Sequence, residues 1–170
     1  MGTWYFEWER NIPFVPVMIL PYVSIDALFA AAPFLCRNQT EPGVLAKRVV
    51  LAILIAGICF LAVPLRFAFE RPAVHGWLGT VFQALGAGDR PFNLFPSLHI
   101  TFCVILADLY ARRTRGIVCA MCLAYFGLIG LSTLLTYQHH ILHWVPWELG
   151  ETSADVRSET AAVRLAIMVP

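Results

Sequence analysis

Four long apolar stretches limit what this chain can fold into more than any other feature. They cover residues 12–35, 49–69, 98–111 and 116–136, and each holds at most one Asp, Glu, Lys or Arg. A helix needs around 20 mostly apolar residues to cross about 30 Å of hydrocarbon. Backbone polar groups cannot be left unpaired in lipid, so spans of this kind are helices. The sequence therefore predicts an all-α, polytopic transmembrane helical bundle with about four spans. The third is short, and residues 93–97 are expected to lengthen it.

Composition supports the same environment. Hydrophobic residues make up 59% of the 170 and charged residues 14%, with a mean hydropathy of +0.69. A soluble domain averages roughly 45–50% apolar and about 25% charged. The net charge of +1 argues against a nucleic-acid partner. The five cysteines lie in or beside apolar runs, so they indicate small hydrophobic residues and not a disulfide scaffold.

The distribution of Lys and Arg predicts the orientation. One side carries two basic loops, which contain Arg37, Lys47 and Arg48, and Arg112, Arg113 and Arg115. Short basic loops stay in the cytoplasm. The segment 66–96 and the end of the fourth span are then expected on the opposite side. Glu7 and Glu9, with Trp4 and Trp8, are expected near that interface.

The first stretch contains two exceptions to a plain span. Its prolines, at positions 13, 16, 21 and 33, predict kinks or a broken start. Asp26 lies in its middle, and an intramembrane carboxylate is expected to face the bundle and find a partner there.

Two histidine clusters carry the candidate chemistry. Pro96-Ser97-Leu98-His99 leads into the third span, and Ser97 is placed to cap that helix, whose free N–H groups favour an anion. Ser132-Thr133, followed by His139, His140 and His143, closes the fourth span on the same predicted face. Arg66 and Arg71 end the second span there, and arginine offers paired donors to phosphoryl oxygens. The set outlines a phosphate site.

In order, these residues resemble the type 2 phosphatidic acid phosphatases, which are related in fold to vanadium haloperoxidases. The family pattern is KxxxxxxRP, then PSGH, then SRxxxxxHxxxD. Here Arg71-Pro72 matches the RP, Pro96-Ser97-Leu98-His99 matches PSGH, and Ser132 with His139 keeps the spacing of the third motif. The amino-acid sequence between residues 64 and 140 resembles that of a branch close to inositol-phosphorylceramide synthases and bacterial relatives. The resemblance covers roughly residues 5–143.

The resemblance implies a mechanism without metal or other cofactor, acting on a phospholipid or lipid phosphate. His139 is then the nucleophile and His99 the general acid. Phosphate oxygens are held by Arg66, Arg71 and Ser97. The catalytic groups are oriented or supported by His143, Ser132 and His140. The implied location is the inner membrane of a bacterium, with the active site on its extracytoplasmic face.

Four positions depart from the family pattern. Pro64 replaces the lysine of the first motif, Leu98 the glycine of the second and Thr133 the arginine of the third. His143 stands where an aspartate orients the nucleophile. An aspartate at such a position fixes the imidazole tautomer and stabilises its positive charge.

The family fold has six spans, and the resemblance implies that the first and the last are missing here. Residues 1–143 are then a partial membrane-embedded domain, and residues 144–170 a polar, divergent tail. We expect a truncation or a reading-frame change after residue 142, and a protein partner that covers the missing span.

Other interpretations stay open. The chain is either an enzyme that hydrolyses or transfers a phosphoryl or phospho-headgroup, or an inactive remnant that binds lipid phosphate. His139 and His143, four residues apart, could hold a metal with His99 as third ligand. Arg66 and Arg71 could also be arginines at a helix end that extend their charged groups to the membrane–water interface and bind no phosphate.

Overall fold

Helices account for all the regular structure in the part of the chain that is described. The structure, a computed structural model, describes residues 5–62, 67–88 and 95–141. Two short 3₁₀-helices, Glu7–Asn11 and Pro16–Met18, precede the α-helices. These are α1 (Ile19–Leu35), α2 (Glu41–Ala62), α3 (Gly76–Gly88), α4 (Leu98–Arg113) and α5 (Gly116–Leu135). The predicted tail, residues 144–170, lies outside the described residues.

Three helical segments are long and apolar enough to cross a membrane. They are Pro16–Leu35, Glu41–Ala62 and Gly116–Leu135, with 20, 22 and 20 residues. Large apolar side chains stay exposed along them, among them Ile58 and Leu61 of α2 and Ile117 and Met121 of α5. Apolar surface of this extent is suited to lipid. The helices therefore indicate a membrane protein.

The third predicted span is present as α4, and it is shorter than the three helical segments above. Its 16 residues correspond to about 24 Å of helix at about 1.5 Å per residue. Ser97 has extended backbone angles and caps the helix, so α4 begins at Leu98. Residues 95–97 are not helical. The expectation that they lengthen this span is wrong, because a capping residue ends the helix where it stands.

Prolines divide the first stretch as the sequence predicts. Pro16 opens the 3₁₀-helix before α1, and residues 12–15 are not helical. The expectation for Asp26 is wrong. It is exposed on the outer face of α1, and its carboxylate has no hydrogen bond or ion pair within the described ranges. Ile25, its neighbour, occupies the inward position.

Side-chain contacts define the directions of the helices. Tyr125 of α5 donates to Ser24 Oγ (2.9 Å), and Val15 N–H donates to the carbonyl of Leu135 (2.8 Å), so α1 and α5 are antiparallel. Cys103 Sγ lies 3.3 Å from the carbonyl oxygen of Phe126, which pairs α4 with α5. α1, α4 and α5 enclose one core, formed by Ile25, Ala32, Cys103, Leu106, Phe126 and Ile129.

Ion pairs hold α2 against α4 at one end of the bundle. The Asp108 carboxylate accepts from Arg48 (3.0 Å) and from Arg112 (2.8 Å). Glu41, the first residue of α2, pairs with Arg113, the last residue of α4. The α1–α2 and α4–α5 connections, which are the two basic loops of the sequence, therefore lie at the same end. We call it the arginine end.

α3 is an element that the sequence analysis did not predict. Its 13 residues cover only about 20 Å. Phe82 is buried against Ile19 and Tyr22 of α1, with Phe14 and Leu78 around them. α3 therefore lies against the start of α1, at the end of the bundle opposite the arginine end.

Candidate functional site

The start of α4 carries the second motif of the family pattern, Pro96-Ser97-Leu98-His99. Ser97 is almost fully buried, and its Oγ accepts the N–H of Ile100 at 3.3 Å. This cap uses a lone pair of the hydroxyl, which leaves its proton for a further acceptor. The first N–H groups of any helix have no partner within it and favour an anion. A negative group is therefore favoured at this end of α4.

His99 lies in the first turn of α4 and contacts α1. Its ring stacks on that of Tyr22, with centroids 4.0 Å apart and planes inclined by 6°. Its Nε2 is buried and has no hydrogen-bond partner among residues 5–62, 67–88 and 95–141. Buried polar atoms in that state are uncommon and call for an explanation.

The third motif follows the end of α5 in a turn that closes the helix. Tyr137 has a φ of +54°, a left-handed conformation that an L residue with a side chain adopts at a cost of about 1–2 kcal/mol. The N–H of Tyr137 donates to the carbonyl of Leu134 (3.1 Å), and that of Gln138 donates to the carbonyl of Thr133 (2.9 Å). This is a Schellman motif with tyrosine in the usual place of glycine. Tyr137 is held there because its hydroxyl donates to the carbonyl of Ile12 (2.8 Å).

His139 is buried directly after this turn. Its N–H donates to the carbonyl of Thr133 at 3.2 Å. α4 and α5 are antiparallel, and Cys103 lies opposite Phe126. His99 is one turn before Cys103, so it points toward the end of the pair where α5 runs out and His139 follows. Ser97, His99 and His139 therefore lie at one end of the bundle, which we call the histidine end.

Arg71 ties a separate segment to this turn. Its Nη2 donates to the carbonyl of Tyr137 (3.2 Å) and to Oε1 of Gln138 (2.9 Å). Its guanidinium carbon also lies 5.5 Å from the centre of the Phe82 ring. Arg71 thus braces the turn through its bonds to the two residues that precede His139.

Ser132 and Thr133 are fully buried in the last turn of α5. The Ser132 hydroxyl donates to the carbonyl of Ile129, and the Thr133 hydroxyl to that of Gly130. Both hydroxyl groups therefore donate hydrogen bonds to carbonyl groups of α5 itself. Thr133 contributes to the site through its carbonyl, which receives the N–H groups of Gln138 and His139.

A buried carboxylate holds His140. Glu9 is 2% exposed and His140 is 1% exposed, and Glu9 Oε2 lies 2.7 Å from Nδ1 of His140. The other carboxylate oxygen accepts the N–H of Phe6 at 3.0 Å. Rings of Phe67 and Phe69 close over the imidazole at centroid distances of 4.1 and 5.0 Å. Glu9 is thus a buried residue, and both oxygens of its carboxylate have partners inside the protein.

The partners of His140 define its protonation. Its Nε2 lies 3.1 Å from the backbone nitrogen of Ala68, which can only donate. Nε2 therefore carries a lone pair, and Nδ1 carries the proton that is donated to Glu9. Burial lowers the pKa of His140 below its ordinary value of 6.5, and the Glu9 carboxylate opposes that shift. His140 is neutral in the fold.

Stability should therefore depend on pH through His140. Below its ordinary pKa of 6.5 the unfolded chain binds a proton that the folded chain excludes. The free energy of unfolding should fall as the pH drops below that value, by up to about 1.4 kcal/mol per pH unit. Denaturation in detergent at pH 7.5 and pH 5.5 measures the loss. It should shrink in His140→Asn and persist in His75→Asn, which changes an exposed histidine. Equal pH dependence in all three chains would contradict this assignment.

Two candidate residues, Arg66 and His143, lie outside the described residues. Among those described, no three His, Cys, Asp or Glu side chains are grouped closely enough to hold a metal ion. The five cysteines are free. The chain matches no family model, no curated protein and no solved structure. The family likeness therefore stands on the motifs alone.

Glu9 is the residue of this site that the sequence analysis missed. A weak signal was present. Glu7 and Arg10, three residues apart, form an exposed ion pair at 3.3 Å. Glu9 is thus directed to the opposite side of the same turn, toward the interior. Its partner His140 is 131 residues away, and no local pattern connects the two.

Proposed function

We propose that this chain is an integral membrane lipid phosphatase or phosphotransferase, which acts on a phospholipid or lipid phosphate through a phosphohistidine at His139. One observation carries the proposal. Ser97 and His99 at the start of α4 share the histidine end with His139, and Nε2 of His99 is buried there without a partner in the described part of the chain.

The proposed chemistry needs two histidines with opposite tasks. A ring nitrogen of His139 bonds to phosphorus as the bond from phosphorus to the leaving oxygen breaks, and His99 protonates that oxygen. Water then attacks phosphorus, the bond to His139 breaks, and His99 takes a proton from the water. With an alcohol in place of water, the phosphoryl or phospho-headgroup is transferred. Ser97, Arg71 and Arg66 hold the phosphate oxygens.

The proposed membrane arrangement has four spans in this part of the chain, with α4 as the short one. The arginine end faces the cytoplasm, because short basic loops stay there. The histidine end then opens on the extracytoplasmic face of a bacterial inner membrane. A protein partner covers part of the apolar surface that α2 and α5 leave exposed.

A second candidate is a protein that binds lipid phosphate without turning it over. His143 favours it, because that position holds an orienting aspartate in the family pattern. The phosphate-holding residues are the same in both candidates, so the experiment must separate binding from transfer.

Covalent labelling distinguishes the two candidates. We expect phosphatidic acid with a radioactive phosphate to label the chain slowly, in a form that is stable to alkali and lost in acid. The label should be absent from His139→Ala and unchanged in His75→Ala, which removes an exposed histidine. An unlabelled chain that binds orthovanadate through His139 would support the binding protein. A chain that neither takes label nor binds orthovanadate would overturn both candidates.

A further inference from the structure

We propose that Glu9 is a positioning residue for His139, acting through the side chain of His140. This inference rests on the proposed function, since it concerns how the nucleophile is held. Nothing in the family motifs involves Glu9, which lies 130 positions before His139 in the chain.

The Glu9 carboxylate is held on both oxygens. Oε1 accepts the N–H of Phe6 at 3.0 Å, and Oε2 accepts Nδ1–H of His140 at 2.7 Å. A buried carboxylate is costly unless it is hydrogen-bonded in this way. Both bonds need a pure acceptor, so a glutamine at this position could satisfy only one of them.

The imidazole of His140 connects three separate segments of the chain. It donates to Glu9 of the N-terminal 3₁₀-helix, accepts from the backbone of Ala68, and belongs to the segment after α5. The titratable groups in contact with it are Glu9 and Tyr5 on the N-terminal segment. His139 precedes it in the chain, and Arg71, on the segment after α2, binds Gln138 two residues before it. Because donor and acceptor positions are both used, the ring cannot flip without breaking two bonds.

His139 is fixed from both sides as a result. On its N-terminal side, its N–H is bound to the carbonyl of Thr133, and Arg71 braces the two residues before it. On its C-terminal side, the next side chain is anchored by Glu9 and by Ala68. The backbone of His139 therefore cannot rotate freely, and the direction of its ring is limited. A nucleophile held in this way needs less reordering when it meets phosphorus.

Orthovanadate, an anion with the shape of phosphate, tests this inference on the full chain in lipid nanodiscs. Glu9→Gln should weaken vanadate binding by at least about tenfold, because a shift of the nucleophile by a fraction of an ångström is costly. Glu7→Gln is the matched control in the same turn and should bind within about twofold of wild type. His140→Gln can place its carbonyl oxygen where Nε2 accepts from Ala68, but its NH2 group is then not at the position of Nδ1 that faces Glu9, so the variant should resemble Glu9→Gln.

Loss of stability alone must be separated from loss of positioning. Leu106→Val changes a fully buried residue in the core of α4, away from Glu9. It should lower the thermal midpoint and leave vanadate affinity unchanged. In addition, ¹⁵N spectra of the wild-type histidines should show His140 neutral with its proton on Nδ1. This measurement does not require the variants to fold.

The outcomes separate this inference from the proposed function. A wild-type chain that binds no vanadate, or binds it equally well without His139, overturns the proposed function and the inference with it. Binding that depends on His139 but is unchanged in folded Glu9→Gln and His140→Gln overturns the inference alone. If neither variant folds, a His140 that is charged or protonated on Nε2 overturns it.

Discussion

Replacing His143 by aspartate is expected to raise the rate of lipid phosphate hydrolysis by a factor of at least about one hundred. The phosphohistidine carries positive charge on its imidazole, and a neutral histidine at position 143 cannot stabilise that charge. In another His–Asp system, loss of the orienting carboxylate costs about four orders of magnitude. That loss corresponds to an increase in activation free energy of roughly 5–6 kcal/mol, since each tenfold change in rate is about 1.36 kcal/mol. The chain with His143 should therefore have little phosphatase activity of its own.

Release of phosphate from phosphatidic acid in mixed micelles measures the gain. His143→Asn is the matched control, because it supplies a hydrogen-bond acceptor of similar shape without the charge, and should gain far less. The gain should vanish when His139→Ala is added, and chelators should leave it unchanged. Ordinary enzyme rates in the wild-type chain would show that the aspartate is dispensable. A gain that survives loss of His139 would remove His139 as nucleophile.

Replacing His99 by asparagine is expected to slow the release of a lipid alcohol by about 10²–10⁴, the usual contribution of a general acid. An alkoxide is a poor leaving group unless it is protonated as the bond breaks. A nitrophenolate leaves without a proton, so the same variant should release the first equivalent of nitrophenolate from nitrophenyl phosphate, before water attacks the phosphohistidine, at a rate near that of its parent. The comparison is made in the His143→Asp background, where turnover is expected to be measurable.

The ratio of the rates on the two substrates distinguishes loss of acid catalysis from misfolding. A misfolded protein loses the first turnover of both substrates together, while loss of the acid slows the first turnover of the lipid substrate alone. His75→Asn should leave both rates unchanged, because His75 is exposed and precedes α3. Equal losses on the two substrates would assign His99 to packing against Tyr22.

Hydropathy was sufficient to predict the long helices. α1 and α5 lie within the predicted stretches, because about 20 apolar residues in a row have few folded alternatives in lipid. α2 overlaps its stretch, 49–69, but begins at Glu41, and residues 67–69 are not helical. The start of α4 followed from Ser97, whose hydroxyl suits an N-cap wherever the helix is placed. These features depend on residues that are close together in the chain.

Hydropathy did not predict features that depend on contacts with distant parts of the chain. Asp26 was expected inside and is exposed, because which face of α1 turns inward depends on α4 and α5. α3 was not predicted, since its 13 residues are helical in a setting that Ile19 and Tyr22 provide. Lys and Arg counts did place both basic loops together, and the pair between Glu41 and Arg113 joins them at one end.

The sequence alone thus determined the helical class, the apolar faces suited to a membrane and the order of the histidine motifs, because each depends on local composition and spacing. Only the tertiary structure decided which polar groups meet. Glu9 and His140 are joined across 131 positions, and Arg71 reaches the turn before His139 across 67. A carboxylate becomes an interior partner only when packing removes it from water and brings a donor to it. That depends on how the helices assemble, which no segment of the chain specifies by itself.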